Sequence, residues 1–150
     1  MKTVKVIVLL LLVVFIGLQF IPTKLNQSKN VLKTDFLLIN NTPRIISTTL
    51  QKSCYDCHSN NTNYPWYNKI QPAAWFLESH VQQGKKELDF SKWAEYSNRR
   101  KKSKLKSIVS QIRDNKMPLS SYTFIHSDAK LSKEEKENIT GFINKIIDSL

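Results

Sequence analysis

Apolar residues recur at intervals of three and four through most of the chain, which is the period of an amphipathic α-helix. The C-terminal stripe is the clearest, and Ser132 with Glu135 forms a capping box at its start. A second stripe begins after Ser103, and a third begins at Pro72 and would end at Gly84 as a C-cap. The pattern therefore predicts an all-α domain.

An apolar run occupies the N-terminus. Lys2 and Lys5 form a short basic flank, and residues 6–21 are apolar with two exceptions. As a helix this run would be ~24 Å long, slightly less than the ~30 Å hydrocarbon core of a bilayer. Because no small-residue cleavage pattern follows it, we expect residues 1–22 to be an uncleaved signal anchor, a transmembrane helix with its N-terminus in the cytoplasm. A cleaved signal peptide is the alternative, and either would put the domain outside the cytoplasm.

Polar residues follow the apolar run. Residues 23–34 are rich in Asn, Lys and Ser, so we interpret them as a tether and assign the folded domain to residues 35–150. A chain of this length has room for one domain. The net charge of +11 bears on partners rather than on the fold. A location outside the cytoplasm argues against nucleic acid as a partner.

Two cysteines lie three residues apart in the middle of the chain, and a histidine follows at once. Cys54, Cys57 and His58 have the spacing at which both thiols can bond to the vinyl groups of one haem while the histidine ligates its iron. A helix that starts after Thr42, with Pro43 as its first residue, would lead directly into this motif and hold it on a rigid element. The chain has no other cysteine. The motif therefore predicts one covalently bound haem c.

A second axial ligand to the iron must come from elsewhere. Met117 precedes Pro118, which restricts it to an extended backbone, and a thioether sulfur is a soft ligand suited to haem iron. We therefore predict Met117 as the distal ligand. His80, on the apolar face of a helix, and His126, in a loop, are the alternatives. Core filling by the methionine, or a buried histidine satisfied by a hydrogen bond, would explain the same residues without a ligand role.

Aromatic and basic residues flank the motif. Trp66 and Trp75 are candidate walls of a haem pocket, although ordinary packing would account for either. Six basic residues cluster between Arg99 and Lys106. They could be a solvated loop and helix start, a docking face for a redox partner with an acidic surface, or a charge that compensates haem propionates or lipid head groups. Charge alone does not choose between these roles.

The order of these motifs resembles that of class I c-type cytochromes, in which a helix leads into Cys-x-x-Cys-His, a Met-Pro follows, and Leu-Ser-x-x-Glu opens a terminal helix. More closely, the chain resembles the haem-binding domain family of single-haem, membrane-anchored proteins of Bacteroidota. The segments that carry this resemblance are residues 54–60, 64–67, 75–84, 90–93 and 116–119. They span most of residues 36–148.

The resemblance implies a small cytochrome c-like helical domain around one covalent haem, facing the periplasm from the inner membrane, with a role in electron transfer. It also implies that His80 and His126 matter to the family. Phe142 and Asp89 stand where the family pattern leads us to expect Trp and Asn.

Three other functions fit parts of the pattern. Cys54 and Cys57 could exchange thiol and disulfide, but no strand–helix–strand pattern surrounds them and His58 has no part in that chemistry. The cysteines with two histidines could form a structural zinc site, which leaves the Met-Pro unexplained. A haem whose sixth position is open or labile would make a sensor or a peroxidase. Paired carboxylates, a phosphate loop and a nucleophile triad are missing from the sequence, which argues against a conventional hydrolase or transferase. We expect an electron carrier rather than an enzyme.

Overall fold

Helices form almost all of the regular structure. The computed structural model of the chain describes all 150 residues and contains no strand beyond an isolated bridge between Gln27 and Asn61. The α-helices are α1 (Lys2–Leu18), α2 (Phe36–Ile39), α3 (Arg44–Leu50), α4 (Asp56–His58), α5 (Ala73–Glu87), α6 (Asn98–Arg113), α7 (Ser120–Ile125) and α8 (Lys133–Ser149). Short 3₁₀ helices cover Trp66–Lys69, Phe90–Glu95 and Ser127–Ala129. The predicted all-α class is confirmed.

The core lies where α6 and α8 pack together and where α2 meets the 3₁₀ helix Phe90–Glu95. Aromatic rings fill its centre, and Phe36 packs edge-on against Trp93 with ring centroids 5.0 Å apart. Edge-to-face pairs of this kind add stabilisation beyond the area that they bury. The largest fully buried side chains around them are Phe90, Leu50, Leu105, Ile139, Ile143 and Val81.

The helix ends match the sequence signals in part. Ser132 and Glu135 form the predicted capping box at the start of α8, and α5 starts directly after Pro72. Gly84, however, does not end α5, which continues to Glu87. A Cβ atom at Gly84 would lie 2.6 Å from the carbonyl oxygen of Cys57. This glycine is therefore required by the close approach of α5 to α4, not by a C-cap.

Helix α6 begins five residues earlier than the apolar stripe indicates. Its N-cap is Ser97, whose side chain accepts from the Arg100 N–H, and the Arg100 guanidinium lies 4.3 Å from the centre of the Tyr96 ring. The basic cluster that begins at Arg99 consequently lies on a regular helix and not in a loop.

The apolar run at the N-terminus forms α1, and none of its side chains is buried. No helix in the chain combines the length and the apolar character needed to cross a membrane. The predicted transmembrane helix over residues 1–22 is therefore not supported, because α1 ends at Leu18. Its 17 residues correspond to ~25 Å at the rise of an α-helix.

The end of α1 is joined to the domain by two glutamines. The Gln71 backbone N–H donates to Gln19 Oε1 at 2.9 Å, and Gln19 Nε2 donates to the Gln71 carbonyl at 3.2 Å. Gln71 Nε2 also donates to Thr23 Oγ1 at 2.7 Å. The chain that leaves α1 is thus held against the start of α5.

Residues 23–34, predicted to be a tether, instead lie against the loop that follows α4. Asn26 Nδ2 donates to the Ser59 carbonyl at 2.8 Å and to Thr62 Oγ1 at 2.9 Å, and the Ser28 N–H donates to the Asn60 carbonyl at 3.0 Å. Asparagine side chains offer donors and acceptors at once, so the same composition that suggested a solvated tether satisfies the polar groups of the loop.

Candidate functional site

The cysteine motif lies at the end of one continuous helical segment. Helix α3 passes through a π-helical turn at Gln51–Tyr55 into α4, and we call residues 44–58 the motif helix. Such turns inside α-helices are frequent at functional sites. The predicted helix into the motif is therefore present, with a wider turn just before Cys57.

Two adjoining cavities meet over the motif helix. One, of about 360 Å³, extends along α5 and is called the α5 lobe here; the other, of about 270 Å³, extends along α6 and is called the α6 lobe. Cavities of a few hundred Å³ are typical of small-molecule and cofactor sites. The residues that line both lobes are Ser53, Cys54, His58, Glu87, Met117 and Pro118.

His58 is held in one orientation. Its Nδ1 lies 3.0 Å from the carbonyl oxygen of Leu88, the residue after α5, and its ring forms a T-shaped pair with the Phe90 ring at a centroid distance of 6.2 Å. Because a carbonyl oxygen can only accept, Nδ1 carries the hydrogen and Nε2 keeps its lone pair for a ligand role. Burial lowers the pKa of His58, so the ring is neutral at neutral pH.

The two thiols are free and partly buried. Burial raises the pKa of Cys54 to about 12 and the pKa of Cys57 to about 11, so both are protonated at neutral pH. Thiol–disulfide exchange relies on the opposite, a lowered thiol pKa. No three His, Cys, Asp or Glu side chains come together as a metal site, whereas structural zinc needs four ligands of this kind. The structure therefore gives no support to the thiol-exchange or zinc interpretations.

Met117 and His80 lie at the same cavity as the motif. Met117 lines both lobes, and its backbone N–H donates to the carbonyl of Gln111 near the end of α6 at 3.2 Å. His80 lines the α5 lobe, and its Nδ1 lies 2.9 Å from the Phe76 carbonyl, which leaves Nε2 available. The structure thus brings together the motif and two of the three candidate distal ligands.

His126 lies elsewhere. Its Nε2 is 2.9 Å from the Tyr67 hydroxyl, and its ring stacks on Tyr122 with centroids 4.5 Å apart. It lines a separate cavity of about 810 Å³, the polar cavity, to which Asp56 also contributes. The Tyr67 hydroxyl occupies Nε2 of His126, and His126 lines neither the α5 lobe nor the α6 lobe.

The two tryptophans proposed as pocket walls line neither lobe. Trp66 is 75% exposed, and Trp75 lies against the segment after α1 near Pro22. Trp75 does not line the α5 lobe because it is five residues from His80, and residues at this spacing project from different sides of a helix.

Several residues of the cavity carried no signal that the sequence analysis used. The Leu88 carbonyl is a backbone group and has none, but Lys104 and Gln111 line the α6 lobe at a helical spacing of seven that could have been noticed. Lys104 also lies 3.7 Å from Glu87. Ser53 is only 6% exposed, and its Oγ has no hydrogen-bond partner.

The comparisons with known proteins give one family match. A family model described as a haem-binding domain matches residues 13–145. Neither the curated proteins nor the solved structures give a match. Because the family match covers well over half of the chain and includes the whole cavity, the chain belongs to the haem-binding domain family, as the resemblance of its motifs predicts.

Proposed function

We propose that this protein carries one covalently attached haem c and transfers single electrons. Family membership establishes haem binding. The observation that supports the rest is that Cys54, Cys57, His58 and Met117 all line one cavity, the α5 lobe. Two thiols, an imidazole with a free Nε2 and a thioether are the groups needed to attach a haem at two points and to bind its iron on both sides.

The state of the thiols suits attachment. Each thiol would add its sulfur and its hydrogen across the double bond of one vinyl group, which forms a thioether and requires no oxidant. Cys54 and Cys57 are free thiols rather than a disulfide, so both sulfurs are available for this addition. The absence of a side chain at Gly84 lets α5 pack directly on Cys57, so the second thiol stays at the wall of the lobe.

The walls of the cavity suit a large flat ring with two carboxylates. Leu88, Phe90, Ile112 and Leu131 give the α6 lobe apolar walls, and Lys104 is the cation among its lining residues. An apolar ring is stabilised by such walls, and a carboxylate by such a cation. Ser53 adds a buried hydroxyl without a partner at the junction of the two lobes.

The residues that would bind the iron are held so that their positions would change little when an electron is transferred. The bound haem supplies a one-electron couple, and a methionine–histidine pair of ligands raises its reduction potential. The Leu88 carbonyl holds His58 through Nδ1, and the Gln111 carbonyl holds the backbone of Met117. Because each of the two ligands is held by a different part of the fold, neither has to move when the iron changes oxidation state, which favours fast electron transfer.

The charge of the chain supports a partner with an acidic surface. Arg99, Arg100 and Lys106 are exposed on α6, the helix that also lines the cavity through Lys104. Complementary charge speeds the encounter of two proteins and orients them.

We also propose a location on the periplasmic side of the inner membrane, with the exposed apolar side chains of α1 in contact with the membrane. The basic flank and apolar run of the N-terminus support this location.

A second candidate function is a haem-based sensor or peroxidase. His80 favours it, because this histidine lines the same lobe as Met117 and keeps Nε2 free. If Met117 were not a ligand, His80 would be a candidate acid–base group in the lobe that would hold the haem.

Visible spectra separate these functions. The full chain is produced in a host that attaches haem c, and wild type is compared with Met117→Ala and with His80→Ala, which changes the other candidate ligand in the same lobe. We expect low-spin spectra in both oxidation states, a sulfur-to-ferric-iron band that disappears only in Met117→Ala, and a reduced wild type that is unchanged by carbon monoxide. A low-spin spectrum that changes only in His80→Ala would make His80 the ligand. A high-spin wild type that binds carbon monoxide at once would favour the sensor or peroxidase.

A further inference from the structure

The segment that carries Met117 is held at two points. On its N-terminal side, the backbone N–H groups of Lys116 and Met117 donate to the Gln111 carbonyl at 2.9 and 3.2 Å. On its C-terminal side, the Tyr122 hydroxyl of α7 donates to Asp56 Oδ2 at 2.6 Å. The first contact joins the segment to α6, whereas the second joins it to the motif helix.

Asp56 is a fixed acceptor inside the cysteine motif. It lies between Cys54 and Cys57, and its other oxygen, Oδ1, accepts from the Asn63 N–H at 2.9 Å. Among the side-chain hydrogen bonds of residues 116–126, the bond from Tyr122 is the one that reaches the motif helix.

Tyr122 contributes to two cavities of the protein. Its side chain lines both the α5 lobe and the polar cavity, and its ring stacks on His126, which contacts the Tyr67 hydroxyl. Burial, together with the bond to Asp56, raises the pKa of Tyr122, so its hydroxyl remains a donor. The ring is thus confined by the stack while the hydroxyl is confined by the carboxylate.

We propose that the hydrogen bond from Tyr122 to Asp56 is a latch that holds Met117 over the cysteine motif, which makes Tyr122 a positioning residue for the distal ligand. This inference rests on the proposed function, because it requires Met117 to bind the iron. Only four residues separate Met117 from Tyr122, so the latch restricts the position of the backbone from which the methionine side chain would reach the iron. An intact latch therefore favours the bound methionine.

Competition with imidazole measures how strongly the latch favours the methionine bound to the iron. Added imidazole displaces the methionine from the ferric protein, so its apparent affinity rises as the methionine is held less well. A hydrogen bond to a charged acceptor contributes enough for Tyr122→Phe to raise the apparent imidazole affinity by about ten- to a hundredfold. Asp56→Ala should have the same effect, and the double variant should have no more than either single one.

Tyr64→Phe is the matched control. It removes a tyrosine hydroxyl that donates at 2.6 Å to another carboxylate, that of Glu78, and accepts from the Asn26 N–H at 2.7 Å, away from Met117. It should change the imidazole affinity less than about twofold while costing at least as much stability as Tyr122→Phe. Thermal unfolding of each variant separates a loss of stability from a loss of ligand positioning.

The possible results distinguish a failure of the latch from a failure of the proposed function. If wild type shows the sulfur-to-iron band and Tyr122→Phe binds imidazole as wild type does, the latch is wrong and the proposed function stands. Effects of Tyr122→Phe and Asp56→Ala that simply add would also overturn the latch, because the two residues would then act separately. If wild type lacks the band altogether, both the ligand assignment and the latch are wrong.

Discussion

Gly84 lies where α5 passes closest to the motif helix, and its replacement by alanine should force the two apart. A Cβ atom there would lie 2.6 Å from the carbonyl oxygen of Cys57 and 3.2 Å from the Cys57 carbonyl carbon and Cβ. Carbon atoms pack best at about 3.5–4.0 Å. The obstacle is mainly backbone, which cannot rotate away as a flexible side chain can.

The size of the effect follows from two opposing terms. Alanine is favoured over glycine in a helix interior by about 0.5–1 kcal/mol, whereas overpacking costs about 1–3 kcal/mol. We expect Gly84→Ala to lower the free energy of unfolding by up to about 2.5 kcal/mol. Gly141 is the matched control, because it lies inside α8 with no atom within 4 Å of an added Cβ. Gly141→Ala should raise stability by about 0.5–1 kcal/mol, since only the helix term applies.

Urea unfolding followed by far-ultraviolet circular dichroism measures both variants against wild type. The difference between the two substitutions isolates the overpacking cost, because the preference for alanine is common to both. Gly84→Ala should also disturb His58, whose partner Leu88 is the residue that follows α5. If Gly84→Ala stabilises the protein as much as Gly141→Ala does, the close packing of α5 on Cys57 is refuted.

Three further predictions use the same unfolding assay. Hydrogen bonds from Lys52, which lies 2.7 Å away, and from Ser132 lower the pKa of Glu135 from 4.5 to about 2, so the charged Glu135 stabilises the fold fully above about pH 4.5 and this contribution is lost as the pH falls through about 2. Glu135→Gln should therefore cost up to about 1 kcal/mol at pH 7 and little at pH 2, while Lys133→Met, at an exposed 4.0 Å pair, should cost little at either pH; an equal cost of Glu135→Gln at both pH values would contradict this. Leu105 is 0% exposed, and Leu105→Ala should cost about 2–5 kcal/mol; a loss under about 1 kcal/mol would mean that the core repacks. Ser53→Ala should leave stability unchanged or raise it by up to about 1 kcal/mol, because the buried hydroxyl has no partner; a clear loss would contradict this.

Local rules explain what the sequence could predict. The period of the apolar residues indicates helices, and the capping box at Ser132 marks the start of α8 because both of its partners lie within one turn. Prolines mark the start of α5 and the break between α6 and α7 for similar local reasons. The motif and four further short segments, in their order along the chain, identified the haem-binding family, because each is a local run of residues.

Contacts between distant parts of the chain could not be predicted in the same way. The role of Gly84 depends on Cys57, 27 residues earlier, and the acceptor for His58 is a backbone carbonyl, which every residue possesses. Asn26 looked like part of a tether because the loop that it binds lies 33 residues away at Ser59. Trp66 looked like a pocket wall because it is large and apolar, yet it is 75% exposed.

The most direct test of the account is whether haem remains on the chain after denaturation. The full-length protein, produced with haem c attachment, is denatured and its mass and haem content are measured beside Cys54→Ala/Cys57→Ala. The account predicts one haem that stays on the denatured wild-type chain and separates completely from the double variant. A haem that separates from the denatured wild type would contradict covalent attachment at Cys54 and Cys57.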